Sequence, residues 1–200
     1  QAYVYSYDLM AGLKEGGTFV LNTQWDAEEL NNNLPGSIKR YLANNKIDFY
    51  FIDAVSIAEK IGLGGRINMI MQTAFFYLSK VMPIDQAIAL LKEEIETSYG
   101  RGGQKIVDMN YAAVDQAIEN LNKYEIPADW ANAELEEAVV RDEPEFVSEI
   151  QRVMTGQRGD SLPVSIFVDH ADGTFPAGTA AYEKRGIAVH CPEWMPDNCI

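Results

Sequence analysis

The chain has very few of the residues that bind metals or form disulfides. Among its 200 residues there are two cysteines and two histidines. Cys191 and Cys199 are too few for a disulfide framework, and with His170 and His190 they do not give the paired spacing of a zinc site. His190 and Cys191 are adjacent, but neighbours in an extended segment point to opposite sides. These counts favour a reducing compartment, the cytoplasm.

Positive charge and long apolar runs are also scarce. The chain has 16 Lys and Arg against 30 Asp and Glu, a formal net charge of −14. Such a charge repels phosphate backbones, so we predict no nucleic-acid partner. The apolar stretch 67–81 contains polar residues and falls short of the roughly 20 residues that span a bilayer, so we predict no membrane span. A hydrophobic content of 47% is ample for a packed core.

Strand and helix patterns alternate in the first part of the chain. The apolar runs 18–22 and 47–52 are typical of buried strands, and helical patterns lie between them. A strand, helices and a second strand predict a parallel, right-handed crossover. Two strands are few for so many helices, because helices on both faces of a parallel sheet normally cover several strands. We therefore predict an α/β fold whose parallel sheet is incomplete.

Several helices are predicted from periodicity and capping signals. Asp26 is a typical N-cap, and Ser37 is predicted to cap a short helix after Pro35. The segment 67–81 is apolar on nearly every side and is predicted to be buried all round, with its aromatic residues in a core or subunit interface. The remaining predicted helices cover residues 8–14, 55–61, 84–99, 106–123 and 146–154.

Prolines and acidic residues become frequent after Ile126. This change predicts a domain boundary near that residue. We expect one domain over 1–125, an acidic linker with a short helix over 126–162, and an extended, loop-rich arm over 163–200. Aromatic side chains, among them Trp130, Phe175 and Trp194, are expected to dock this second part of the chain.

One glycine cluster is a candidate binding site. Gly62-Leu63-Gly64-Gly65-Arg66 opens a helix, so amide groups, the helix dipole and a guanidinium could face an anion. Glycine-rich helix starts are also ordinary turn chemistry, and that alternative stays open. Asn68 is polar in an otherwise apolar helix; a buried amide needs partners, which a ligand or an internal packing hydrogen bond would supply. No Ser/His/Asp, HExxH or paired-carboxylate pattern is present, so no catalytic residue is predicted.

Motifs near the end of the chain carry a family resemblance. They are Asp172-Gly173-Thr174-Phe175-Pro176, the run from Tyr182-Glu183-Lys184-Arg185 to Ala188, and the run from Pro192-Glu193-Trp194 to Asn198-Cys199-Ile200. In order and spacing they resemble the segment of pyruvate:ferredoxin (flavodoxin) oxidoreductases that leads into the iron–sulfur region. The stretches 12–19, 34–41 and 66–76 resemble the gamma domain of that family. We therefore expect an internal piece of a longer enzyme.

This resemblance implies a fold and an activity. The fold would be the C-terminal part of the Rossmann-like gamma domain over 1–125, followed by the small Glu-Lys-Arg domain over 163–200. The intact enzyme would convert pyruvate and coenzyme A to acetyl-coenzyme A and carbon dioxide. Electrons would pass from thiamine diphosphate through [4Fe–4S] clusters to ferredoxin or flavodoxin.

The resemblance also implies site residues and partners. Arg66 and Asn68 would reach coenzyme A. Cys199 would be the first ligand of a [4Fe–4S] cluster. Such clusters are bound by closely spaced cysteines, and the resemblance implies that the remaining ones follow Cys199. The thiamine diphosphate site would lie outside this chain, so no cofactor site would be complete in it, and the piece alone would be inactive. The partners would be the other domains of the enzyme and a second copy in a homodimer. Two alternatives stay open: a stand-alone acidic binding or scaffold module, and a family member that uses another 2-oxoacid or NADP.

Overall fold

The computed structural model describes residues 2–137, 141–183 and 192–198. The chain divides into two compact units, 1–138 and 139–200. The first unit contains three strands and six helices in the described residues: β1 (Thr18–Asn22), α1 (Ala27–Asn33), α2 (Gly36–Asn44), β2 (Asp48–Ile52), α3 (Ala54–Ile61), α4 (Asn68–Ser79), α5 (Ile84–Tyr99), α6 (Gln104–Glu119) and β3 (Asn122–Tyr124). In the described residues, no helix is both long and apolar enough to cross a membrane.

The strands form one small mixed sheet in the order β1-β2-β3. β1 and β2 are parallel, with Thr18 opposite Asp48 and Asn22 opposite Ile52. β3 is antiparallel to β2 and places Tyr124 opposite Phe49. The predicted α/β class, with an incomplete Rossmann-like sheet and a parallel crossover, is confirmed. The third strand was not predicted: the helix expected over 106–123 ends at Glu119, and the chain then turns into β3.

Both faces of the sheet are covered by helices. On one face, Leu21 and Phe49 pack with residues of α1 and α2 and with Trp130. On the other face, Ile52 packs with apolar residues of α3, α4, α5 and α6. Burial of these side chains from water is the main favourable contribution to the fold of this unit.

The start of α1 matches the sequence prediction and the start of α2 does not. The Asp26 carboxylate accepts hydrogen bonds from the amides of Glu28 and Glu29, at 2.9 and 2.8 Å. The Glu29 side chain in turn accepts one from the Asp26 amide at 3.0 Å, completing a capping box. The predicted cap Ser37 instead lies inside α2, whose N-cap is Pro35.

Two further helix predictions are wrong. Residues 8–14 form turns, because Gly12 has φ +79, outside the right-handed helical region. The helix predicted over 67–81 is α4, but it is not buried all round. Phe75 is 57% exposed and Tyr77 41% exposed, so α4 buries only one face.

The described residues of the second unit form a short helical segment and turns. A π-helical turn, Val147–Gln151, continues into α7 (Arg152–Thr155), where a short helix was predicted. The Glu143 carboxylate accepts hydrogen bonds from Nε and Nη2 of Arg152 at 2.7 to 3.0 Å. Turns of 3-10 helix follow at Gly159–Ser161, Val164–His170, Thr179–Tyr182 and Pro196–Asn198. Phe175 and Trp194, expected to dock the arm, are 63% and 75% exposed.

Candidate functional site

The glycine cluster forms the turn between α3 and α4. Gly62 ends α3 in the left-handed conformation, with φ +94, and Gly64 also has positive φ, +60. The Leu63 amide donates a hydrogen bond to the Ala58 carbonyl at 2.8 Å, and the Leu63 side chain is buried. This arrangement is a glycine C-cap closed by an apolar contact. The glycines therefore end one helix and start the next, which is ordinary turn chemistry.

The first turn of α4 presents an electropositive end. Its N-cap is Ile67, and in the described residues no side chain caps it and no acidic residue lies in the first turn. Amide groups at such a helix start, together with the helix dipole, favour an anion. Arg66 and Asn68 flank Ile67, and both side chains are exposed. The turn thus brings both predicted site residues to one helix end.

Asn68 does not occupy the environment predicted for it. It is the first residue of α4 and is exposed, so it is not a buried amide that requires an internal partner. The residues behind it, Met69 and Ile70, are buried at 6% and 0% exposure and anchor the helix start in the core. Asn68 is therefore available to a ligand, while its neighbours hold the backbone in place.

Helix α6 supports the glycine turn from one side. A Cβ atom at Gly62 would lie 3.3 Å from Cε of Met109, so α6 packs closely against the end of α3. Leu63 and Met69 share one apolar cluster with Val107 of α6. The candidate site is therefore held by three helices, which is a rigid setting for ligand contacts.

A groove that was not predicted from the sequence lies between two of these helices. It lies between the end of α3 and one side of α6 and has a volume of about 600 Å³; its lining is Lys60, Ile61, Lys105, Asp108, Met109, Ala112 and Gln116. In the described residues, none of Lys60, Arg66 and Lys105 forms an ion pair. A sequence signal was available, because Lys105 follows the glycine-rich stretch 100–103 much as Arg66 follows 62–65.

The metal ligand predicted from sequence, Cys199, lies outside the described residues, as do Cys191, Lys184 and Arg185. Across 2–137, 141–183 and 192–198, no three His, Cys, Asp or Glu side chains are grouped closely enough to hold a metal ion.

Two family models match the sequence. The model for pyruvate ferredoxin/flavodoxin oxidoreductase matches residues 2–120. The chain belongs to the pyruvate ferredoxin/flavodoxin oxidoreductase family. A second model, EKR, which is described as a domain of unknown function, matches residues 132–188. The resemblance seen in the motifs is thereby confirmed, and the chain is part of an enzyme.

Relatives named as pyruvate oxidoreductases and as a pyruvate dehydrogenase align with the whole chain. The chain is 53% identical over 199 residues to the pyruvate-flavodoxin oxidoreductase of Enterobacter agglomerans. It is 52% identical over 200 residues to the pyruvate:ferredoxin oxidoreductase of Moorella thermoacetica. It is 42% identical over 201 residues to the mitochondrial pyruvate dehydrogenase [NADP(+)] of Euglena gracilis. Each alignment covers 100% of this chain but only 17%, 17% and 11% of the respective relative.

Proposed function

We propose that the full-length protein containing this chain oxidises pyruvate, or a close 2-oxoacid, with coenzyme A to the acyl-coenzyme A and carbon dioxide. The electrons would pass to ferredoxin or flavodoxin. The observation that carries this proposal is the identity of 53% and 52%, over the entire chain, to enzymes named for pyruvate with flavodoxin or ferredoxin. NADP is the second candidate acceptor, because a relative named for NADP(+) is 42% identical over the same length.

Within that enzyme, the turn before α4 contacts coenzyme A. The Arg66 guanidinium is exposed and can form paired hydrogen bonds with a phosphate, and the start of α4 favours the same charge. The Asn68 amide offers both a donor and an acceptor to the neutral parts of the coenzyme. Holding the thiol-bearing substrate in place replaces a bimolecular encounter by a local one, which is how such a site accelerates the second half of the reaction.

The cofactors of the full-length enzyme would be thiamine diphosphate and [4Fe–4S] clusters, which supply decarboxylation and one-electron transfer when bound. From this chain, Cys199 is the proposed cluster ligand, and the remaining ligands would come from the rest of the enzyme. Electron paramagnetic resonance of a full-length Cys199→Ala variant tests this assignment by the loss of one cluster signal. The protein partners would be the other domains of the same polypeptide and a second copy of it.

The coenzyme A contacts are tested by Arg66→Ala and Asn68→Leu in the full-length enzyme. Each variant should raise the coenzyme A concentration needed for half-maximal turnover by roughly tenfold, the effect of losing one charged or polar contact. Reduction of the clusters by pyruvate without coenzyme A should stay unchanged, because these side chains act on the second substrate. Arg158→Ala is the matched control, since Arg158 is also exposed but lies in the second unit.

Two results would contradict this assignment. If both variants lost the coenzyme-free reduction to the same degree as turnover, Arg66 and Asn68 would be determinants of the fold. If their coenzyme A requirement matched that of Arg158→Ala, the turn would not contact the coenzyme.

A further inference from the structure

We propose that the groove between α3 and α6 binds the phosphate groups of a nucleotide, with Lys60 and Lys105 as the charged contacts. Lys60 lies in the last turn of α3, and Lys105 is the second residue of α6. Both line the same groove. Two ammonium groups beside one concave surface form a site for a group with more than one negative charge.

The charge of these lysines is not used elsewhere in the described structure. The ion pairs there use other cations, namely Lys46, Lys92, Lys123 and Arg152. The chain as a whole carries a net charge of −14. Two cations that form no ion pair in the described residues, in so acidic a chain, would attract an anion to this surface rather than to the rest of it.

The floor of the groove suits the remainder of a nucleotide. It is formed by Ile61, Met109 and Ala112, all half-buried. Flat aromatic bases pack well on such aliphatic surfaces, and a methionine thioether makes favourable contacts with aromatic rings. A volume of about 600 Å³ is within the range of small-molecule sites.

One carboxylate also lines the groove. Asp108 accepts a hydrogen bond from Nε2 of Gln104 at 2.8 Å, so part of its acceptor capacity is already used. One carboxylate against Lys60 and Lys105 leaves the groove with a net positive charge. The Gln116 amide adds a neutral donor to the lining.

The groove adjoins the turn that carries Arg66 and Asn68. Met109, which lines the groove, lies 3.3 Å from a Cβ atom placed at Gly62, the first residue of that turn. The phosphate groups could therefore belong to coenzyme A itself or to a separate nucleotide that binds beside it. Only the binding of coenzyme A rests on the proposed function. The probes used in the test distinguish coenzyme A from a separate nucleotide.

The test is titration calorimetry of the full-length protein with four probes: coenzyme A, 3′,5′-ADP, ADP and pantetheine. The variant is Lys60→Gln combined with Lys105→Gln, and the control is Lys14→Gln combined with Lys80→Gln, two exposed lysines outside the groove. The groove variant should weaken binding of the phosphate-bearing probes by roughly three- to tenfold and reduce its salt dependence. Pantetheine has no phosphate, so its binding should be the same in all three proteins.

The set of probes that bind more weakly to the groove variant shows whether the phosphate groups belong to coenzyme A or to a separate nucleotide. Weaker binding of coenzyme A and 3′,5′-ADP, without ADP binding to the wild type, assigns the groove to the coenzyme. Weaker binding of ADP with unchanged coenzyme A assigns it to a separate nucleotide, and this result would stand even if the Arg66 and Asn68 variants left turnover unaffected. The proposal is overturned if the wild type binds none of the phosphate-bearing probes, or if the groove and control variants bind them equally well.

Discussion

Tyr111 shows how a single exposed carboxylate sets the properties of a residue in this fold. Its hydroxyl donates a hydrogen bond to Oε1 of Glu96 at 2.6 Å. Lys92 Nζ lies 5.3 Å from the centre of the Tyr111 ring and pairs with Asp115 at 2.7 Å. The hydrogen bond to Glu96 raises the pKa of Tyr111 to about 12, because the phenolate would face a carboxylate. The network joins α5 to α6.

Glu96→Gln should lower the pKa of Tyr111 toward the ordinary tyrosine value of about 10. Because the folded pKa lies above the unfolded one, the contribution of this group to stability is complete below about pH 10 and is lost as the pH rises toward 12. NMR titration of ring-labelled tyrosine measures the Tyr111 pKa in the wild type and in Glu96→Gln. Glu94→Gln, which changes a carboxylate bonded to Ser98 on the same helix, is the control and should leave Tyr111 unchanged. An unaltered Tyr111 pKa in Glu96→Gln would show that the Glu96 carboxylate is not what raises it.

At this scale the sequence predicts local chemistry well and side-chain environment poorly. The cap Asp26 could be identified because its partners lie two and three residues away. The exposure of Asn68 could not be predicted, because periodicity identifies a helix without fixing its first residue. Arg66 was predicted from the glycine cluster before it and Asn68 from its polarity in an apolar helix, whereas Lys60 and Lys105 line one groove only through the packing of α3 on α6.

Among the elements, the segment after β3, which contains Trp130, packs closely against β3, α1 and α2. Trp130 is 2% exposed, stacks on Tyr124 at 5.1 Å between ring centres, and donates a hydrogen bond from Nε1 to Oδ1 of Asn31 at 2.7 Å. The backbone comes so near that a Cβ atom at Gly36 would overlap the Glu134 carbonyl oxygen. Only glycine permits this approach.

Gly36→Ala should therefore displace the segment from α2 and destabilise the first unit by about 1–3 kcal/mol, the usual cost of overpacking. The Trp130 indole signal in a nitrogen–proton NMR spectrum should shift and lose protection from exchange. Gly100→Ala is the control, because no atom lies within 4 Å of its added Cβ and its φ of −55 suits alanine. Equal stability of the two variants, with an unchanged indole signal, would show that the close approach is not required.

Helices were predicted correctly where their apolar spacing repeats over many consecutive residues. The helix predicted over 84–99 is α5 at the same bounds, Ile84–Tyr99, because its apolar spacing repeats over four turns. β3 was missed because it has only three residues, and its stability comes from pairing with β2 about 70 residues away, including a Lys123 to Asp48 ion pair at 2.7 Å. The exposed face of α4 was missed because its aromatic residues are typical of a core when only the sequence is known.

For the whole molecule, exposed apolar residues in α4 and just after it have consequences in solution. Phe75, Tyr77 and Val81 are 57%, 41% and 64% exposed, and β1 lies at the edge of the sheet. Exposed apolar surface and an open strand edge both favour association. We therefore expect the 200-residue chain to self-associate.

Sedimentation velocity over a range of concentrations measures this association. Phe75→Gln combined with Val81→Gln should weaken it, while Leu90→Gln, which changes an exposed leucine of α5, should not. A wild-type chain that stays monomeric at high concentration would contradict the expectation.

Family membership was predictable from the sequence because short motifs in a fixed order are recognisable without knowing how the chain packs. The net charge of −14 argued against whole classes of partner, and the motifs at 172–176 and 182–188 indicated the family that the comparison over residues 2–120 confirms. The proposed cofactor sites could not be predicted in detail, because this chain covers only 17% of the length of the flavodoxin and ferredoxin oxidoreductases that align with it.

The most direct test of the central claim is an anaerobic assay of the full-length protein with pyruvate, coenzyme A and oxidised flavodoxin or ferredoxin. We predict that acetyl-coenzyme A forms together with carbon dioxide and a proton, and that each molecule formed is accompanied by a pair of one-electron reductions of the acceptor. Omitting coenzyme A should stop turnover. Acetyl-coenzyme A formation without acceptor reduction, or sustained acceptor reduction without coenzyme A, would contradict the account.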